Sequence, residues 1–325
     1  METFSATLKP MLTLFFCIAV GFVLVKKKIL PESSSKSMAK METWIFSPAL
    51  NFTTMMRYCT VSSVSTHALN VSLSLVAVLI SVCLAIPLAR IFVKEKSAER
   101  GIYTYALAFA NSGYAGDPIV LALFGEETLA YYKMFCLPFN LFIFTWGISL
   151  LIPDGKEGNN PLKRLLNAPT LALFAGILAG LSGLGNYLPE FLISALDMLK
   201  ACMGPVAMLL AGATIARFDL MGMINKKKVY IATLFRLVII PTVIMWAVFG
   251  IKTAVNSIFD TSIGNEVILL CFFAVATPLG LNTVIFPEAY GRNPETGASM
   301  TMVSHTLCVL SIPLMYGIAA RVFGF

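Results

Sequence analysis

Four stretches of the chain, residues 134–153, 165–189, 267–287 and 297–320, hold no Asp, Glu, Lys or Arg. Each matches the ~20 residues that a helix needs to cross the hydrocarbon core of a bilayer. The rest of the composition agrees: 58% of residues are hydrophobic and 13% are charged, against roughly 45–50% and about 25% in soluble domains. In hydrocarbon every backbone N–H and C=O must be paired internally, so apolar runs of this length are expected to be helices and the fold an all-α integral membrane protein.

Apolar runs, breakers and charge clusters together place ten spans, near 8–25, 38–57, 67–93, 101–125, 128–151, 164–185, 188–215, 228–251, 265–289 and 298–322. The lysine cluster Lys26–Lys28 follows the first apolar run instead of preceding it, so that run is expected to be a retained helix and not a cleaved leader. If the amino terminus lies outside, most of the 24 basic residues fall in inner loops, at Lys26–Lys28, Lys36, Lys40, Arg90, Lys94, Lys96, Arg100, Lys156, Lys163, Arg164, Arg217, Lys226–Lys228 and Arg292. The positive-inside rule then puts both termini outside, as expected for a multi-pass protein of a plasma membrane. The net charge of +7 is explained by these loops, and the lipid surface, not nucleic acid, is the expected partner. Six of the seven cysteines lie in apolar runs, with no CxxC and no Cys/His spacing suited to zinc, so neither a metal nor a cofactor is expected.

The chain echoes itself at about half its length. Pro48 in FSPALNF is answered by Pro205 in MGPVAMLLAG, and Gly125 after the fourth span by Gly291 after the ninth. The pattern is a broken second span, a long third and a broken fourth, repeated once, and it divides the chain into halves 1–155 and 156–325. Five spans per half is an odd number, so the halves cross in opposite senses as an inverted repeat, a plan common in secondary transporters.

Within this plan, the segment ANSGYAGDPIVLALFG at 110–125 is out of place in hydrocarbon. Asp117 followed by Pro118 is a helix-start signal, a carboxylate able to cap free N–H groups ahead of a proline that lacks one. Thr277 and Pro278 in ATPLGLN repeat it, so both spans are expected to stop and restart at membrane depth. Interrupted backbone survives there only when buried in protein or facing a wet cavity. Two such breaks facing each other make a small polar chamber. A half-helix starting at Pro278 turns its positive end towards it, which suits a carboxylate, and Asn111, Ser112, Thr277 and Asn282 offer neutral hydrogen bonds.

The stretches NSGYAGDPIVLALFGEE, ATPLGLNTVIFPEAYG and ASMTMVSHTLCVLSIPL resemble the fourth, ninth and tenth helices of the auxin efflux carrier family of bacterial and plant transporters, part of the superfamily that includes bile-acid symporters. The resemblance extends across both halves. It implies two inverted five-helix repeats whose fourth and ninth helices cross at unwound points beside the substrate. Helices one, two, six and seven would form a scaffold, often a homodimer interface, against which helices three to five and eight to ten carry substrate in an elevator motion. It matches Asn111 to the family's fourth-helix asparagine and Pro278 to the proline at the ninth-helix crossing, and implies a cargo of small organic anions such as malate, malonate or auxin-like carboxylates. Together with the chamber read above, the expected site is Asn111, Ser112, Gly113, Gly116, Asp117, Pro118, Thr277, Pro278, Gly280 and Asn282. Asp117 departs from the family pattern, which has an apolar residue before the proline.

Several polar residues read two ways. Asp117 is either a structural cap or a ligand for a cation or proton, and His305 either a hydrogen-bonded packing residue or a proton-coupling group. Asp197 and Lys200, three apart on a helix, are expected to neutralise each other. Arg236 reads either as a side chain that snorkels towards the inner surface or as a contact for the substrate anion, and Lys133 is expected to anchor at an interface. With no HExxH, GxSxG or nucleotide-binding loop the chain is not expected to be an enzyme. The rival to a simple anion carrier is a sodium- or proton-coupled symporter, with a channel further behind.

Overall fold

A computed structural model describes residues 2–152, 164–218, 226–260 and 262–325. Lys156, Lys163 and the expected boundary at 155/156 lie outside the described residues. Among the described residues the fold is all-helical, and six helices are long and apolar enough to cross a membrane, with two shorter apolar helices at Ala168–Ser182 and Glu266–Ala276.

Helix α1 spans Glu2–Lys26. Helix α2 (Ser34–Met41) runs through a π-helical turn, Glu42–Phe46, into α3 (Ser47–Tyr58), and α4 covers Val64–Phe92. Helix α5 (Ala98–Ala108) opens where the Ser97 hydroxyl accepts the Arg100 N–H at 3.3 Å. It is followed by a break, a π-turn at Ser112–Gly116 and α6 (Asp117–Phe142). Gly125 interrupts α6 with φ +80° and ψ −175°, a conformation essentially reserved for glycine, and so turns the chain between two helical arms. Helix α7 (Ala168–Ser182) is delimited by local chemistry at both ends. The Asn167 carboxamide oxygen accepts the Thr170 N–H at 3.0 Å, Pro169 sits in the first turn, and Gly183 ends the helix at φ +71°. Helices α8 (Glu190–Ala216), α9 (Lys227–Leu234), α10 (Ile240–Phe259), α11 (Glu266–Ala276), α12 (Asn282–Ala289) and α13 (Glu295–Phe323) complete the order.

The helices pack in two groups. In one, α1 lies along α8, α3 along α7, and both α2 and α3 also touch α8. Glycines bring these backbones together: a Cβ at Gly21 or Gly212 would collide with the carbonyl of Leu209 or Ile18, and one at Gly176 with that of Phe52 at 2.6 Å. Close backbone approach at small residues is the usual basis of helix association in lipid, where hydrophobic burial supplies no difference between helix and solvent. In the other group α4 packs on α5, α6 and α10, α11 on α10 and α6, and α13 on α9 and α5. The groups meet chiefly where α1 runs along α13 and α3 touches α6.

Two details depart from the sequence reading. The second span bends through a π-turn but does not break, and α8 runs unbroken through Pro205, so the Pro48/Pro205 echo does not mark a pair of interruptions. An interior proline removes one hydrogen bond, which a helix packed on several neighbours tolerates. The Gly125/Gly291 echo has a structural counterpart, since both adopt positive φ, +80° and +71°.

Candidate functional site

Two chain breaks meet in the interior. After α5 ends at Ala108, Phe109 is extended and Asn111 (φ −83°, ψ 57°) lies outside the helical region. After α11 ends, Thr277 is extended (φ −67°, ψ 155°) and helix resumes only at Asn282. Ala110 and Leu279 form an antiparallel β-bridge, and the Asn111 N–H donates to the Pro278 carbonyl at 2.8 Å.

Backbone groups freed by the breaks find specific partners, as burial requires. The Ser81 hydroxyl donates to the Ala108 carbonyl at 2.7 Å, and the Ser304 hydroxyl accepts the Leu279 N–H at 3.1 Å. The Tyr132 hydroxyl donates to the Ser112 carbonyl at 3.1 Å. Gly116 is glycine for a steric reason, because a Cβ there would run into that same tyrosine hydroxyl. The Asn282 carboxamide donates to the Tyr105 hydroxyl at 2.8 Å, tying the restart of one broken segment to the helix that enters the other.

Beside the crossing lies a cavity of about 280 Å³. Of the residues singled out in the sequence, Asn111, Ser112, Gly113, Asp117, Gly280 and Asn282 line it. Gly116, Pro118, Thr277 and Pro278 do not: Pro118 packs against Gly204, and Pro278 faces a small apolar crevice with Met208, Ala115 and His305. Among the described residues the Asn111 side-chain nitrogen is buried without a protein partner, a donor available at the cavity wall. The lining also includes residues the sequence reading passed over: Thr43, Ser47 and Asn51 from the second span, Asn140 from α6, Asn167 just ahead of α7 and Thr170 within it. Asn51 and Asn140 are carboxamides inside apolar runs, which is the signal that marked them, since polar side chains at membrane depth are costly unless used. Tyr114 also lines the cavity, its hydroxyl 3.3 Å from that of Thr43.

Four charged or capping readings are corrected. Asp117 caps nothing: the preceding π-turn already feeds helix into it, Gly116 is itself helical, and its buried carboxylate is ion-paired with the Lys133 ammonium. Lys133 is accordingly no interface anchor but a buried lysine on the cavity wall. Thr277 and Pro278 do not start a helix either. They form the extended strand of the crossing, and α12 begins four residues beyond Pro278, which moves the positive helix end from Pro278 to Asn282. Arg236 does not snorkel. It is 1% exposed, and its Nη2 approaches the Thr277 carbonyl at 3.5 Å, near the negative end of α11 where a cation is favoured.

Asp197 and Lys200 do pair, at 3.2 Å. His305 is buried, with Nδ1 2.8 Å from the Thr301 carbonyl, and does not reach the polar cavity. Among the described residues no group of three or more His, Cys, Asp or Glu is arranged to hold a metal ion.

An all-helical membrane protein with apolar spans and a polar chamber at crossed chain breaks is built as a membrane transport protein. The family described as "Membrane transport protein" matches the chain twice, over residues 6–160 and 158–316, and the chain belongs to this auxin efflux carrier-like family. It is similar to an uncharacterized transporter of Methanocaldococcus jannaschii, 24% identical over 316 residues that cover 93% of this chain and 96% of that one. It is also similar to an uncharacterized transporter of Methanothermobacter thermautotrophicus, 24% identical over 216 residues that cover 65% and 69%.

Proposed function

We propose that the protein is a secondary carrier that binds a small organic anion in the cavity beside the crossing and moves it by an elevator displacement of one helix group against the other. The observation that carries this reading is the meeting of the two interrupted segments, Ala110 against Leu279 and Asn111 against Pro278, next to a cavity walled by carboxamides and hydroxyls. Its volume, about 280 Å³, suits a small metabolite. The Lys133–Asp117 pair removes the objection that an acid at this point repels anions, because the wall carries both charges and sums to neutral. In the bound state Asn111 and Ser112 from one break and Gly280 and Asn282 from the other donate to the carboxylate, with Lys133 adding long-range attraction.

In this reading the chain makes ten spans as two inverted repeats, a plan supported by the double family match and the two positive-φ glycines. The group α1–α3, α7, α8 is the scaffold. The cavity is lined from the ends of segments that adjoin the basic loops, around Ala39, Leu165 and Phe286, so with both termini outside it faces the cytoplasm.

The test begins with a thermal-shift screen of purified protein against malate, malonate, aromatic acetates and amino acids, since a ligand that binds the native state raises apparent stability. The carboxylate that shifts the midpoint is then followed into proteoliposomes, with and without sodium and across an imposed pH gradient. Saturable uptake lost in Asn111→Ala while the protein remains folded is the expected result; no shift with any carboxylate, or unchanged uptake in the variant, refutes the site.

A further inference from the structure

On the side of the molecule away from the cavity opening, four charged residues close a ring. Arg57, in the last turn of α3, reaches Glu126 at 3.2 Å and Asp197 at 2.6 Å, while Lys200 reaches Glu126 at 2.7 Å and Asp197 at 3.2 Å. Arg57, Asp197 and Lys200 belong to the helix group of α1, α3, α7 and α8. Glu126 alone belongs to the other group, and it follows directly on the Gly125 turn. Beside the ring lies a separate buried apolar cluster of Met55, Cys59, Ala130 and Leu173, drawn from the C-terminal end of α3 and from α7 on one side and from α6 on the other. Leu173 and its partly buried neighbour Leu137 are also part of the cavity wall. Ring, apolar plug and cavity therefore lie in sequence along one seam between the two groups.

We propose that this ring and plug form the outer gate of the carrier, with Glu126 as the latch that holds the moving group closed against the Arg57/Asp197/Lys200 side in the state with the cavity open inward. The proposal rests on the carrier reading, because only an alternating molecule has to part this seam. The arrangement fits a latch better than a permanent clamp. The Arg57, Glu126 and Asp197 side chains are 28–36% exposed, so the two Arg57 pairs are weak and readily exchanged for water, and the buried Lys200 keeps Asp197 as a partner when Glu126 leaves. The plug beside it is small, of four buried residues. Asp197 keeps Arg57 and Lys200 paired when Glu126 leaves, so opening strands no cation.

Native Cys59, buried in the plug, reports on the gate without any substrate. In right-side-out vesicles the protein is treated with a membrane-impermeant charged maleimide, and modification of each cysteine is followed by peptide mass spectrometry. Cys59 is expected to react slowly in the wild type and on the order of tenfold faster in Glu126→Gln, which removes two partly exposed pairs without changing shape. Lys200→Met gives a change in the same direction. In inside-out vesicles Thr43→Cys, on the cavity wall, is expected to react more slowly once Glu126→Gln is added, because a population shifted outward presents less of the inner cavity.

An unchanged Cys59 rate overturns the proposal. So does a faster Cys59 with no fall at Thr43→Cys, which is local fraying, and so does a parallel rise at buried Cys271 and Cys308, which is general loosening. Reciprocal labelling without carboxylate transport upholds the gate and removes the proposed cargo. Carboxylate transport with unchanged labelling does the reverse.

Discussion

Replacing Lys133 by Met strands a carboxylate. The Asp117 side chain is 2% exposed and that of Lys133 7%, so the pair is largely desolvated, and it borders the polar cavity. Removing one partner of a buried pair costs about 3–5 kcal/mol, mostly the penalty of leaving the other charge uncompensated. Because the cavity offers the carboxylate some water, the lower end, about 3 kcal/mol, applies here. That is a hundredfold or more in the folded-to-unfolded ratio. Replacing both groups, Asp117→Asn with Lys133→Met, leaves no charge to strand, and the double variant is expected to recover most of the loss, giving a coupling of about 2 kcal/mol or more. The assay is loss of the monodisperse gel-filtration peak in mild detergent after heating, compared across wild type, both single variants and the double variant. If the double variant is no more stable than Lys133→Met, the two losses are independent and the ion-pair account of Asp117 is wrong.

Other substitutions bear on separate parts of the fold. Gly125→Ala is expected to cost about 1–3 kcal/mol through backbone strain alone, since a Cβ there meets nothing within 4 Å, and the same heating assay should show it. Gly212→Val should separate α1 from α8, where the added carbon would press on the Ile18 carbonyl, and lower the yield of folded protein by more than Gly250→Val, whose Cβ position is open. Ser81→Ala removes the donor to the Ala108 carbonyl at the first break and is expected to cost about 1–3 kcal/mol for the unpaired buried acceptor; an unchanged midpoint would show that water replaces the hydroxyl.

Much of this architecture was legible in the residues. Charge-free runs of 20 or more marked a membrane protein, and Gly113, Gly116, Asp117 and Pro118 on one side with Pro278 and Gly280 on the other marked the two places where helix gives way. The location was right to within a few residues, but the mechanism of interruption was not. Proline and the neighbouring acid or threonine suggested capped restarts, whereas the chain instead adopts an extended bridge, Ala110 with Leu279, whose N–H and C=O groups pair with each other. Such pairing depends on a segment some 170 residues away and leaves no local signature. Asn51 and Asn140 did carry a local signal, a carboxamide in an apolar stretch, but only the folded chain shows that they and Asn167 face one cavity.

The sequence by itself determined that the chain spans a membrane as helices, because hydrocarbon admits no other economy of backbone hydrogen bonds, and it marked where helix could give way, although of the marked places only those near Asp117 and Pro278 are real breaks. Only the tertiary structure decided what each buried charge faces. Coulombic partners are set by proximity in space, so Lys133 became the counter-ion of Asp117, Arg236 came to the Thr277 carbonyl, and Glu126 joined Arg57 and Lys200 across the seam.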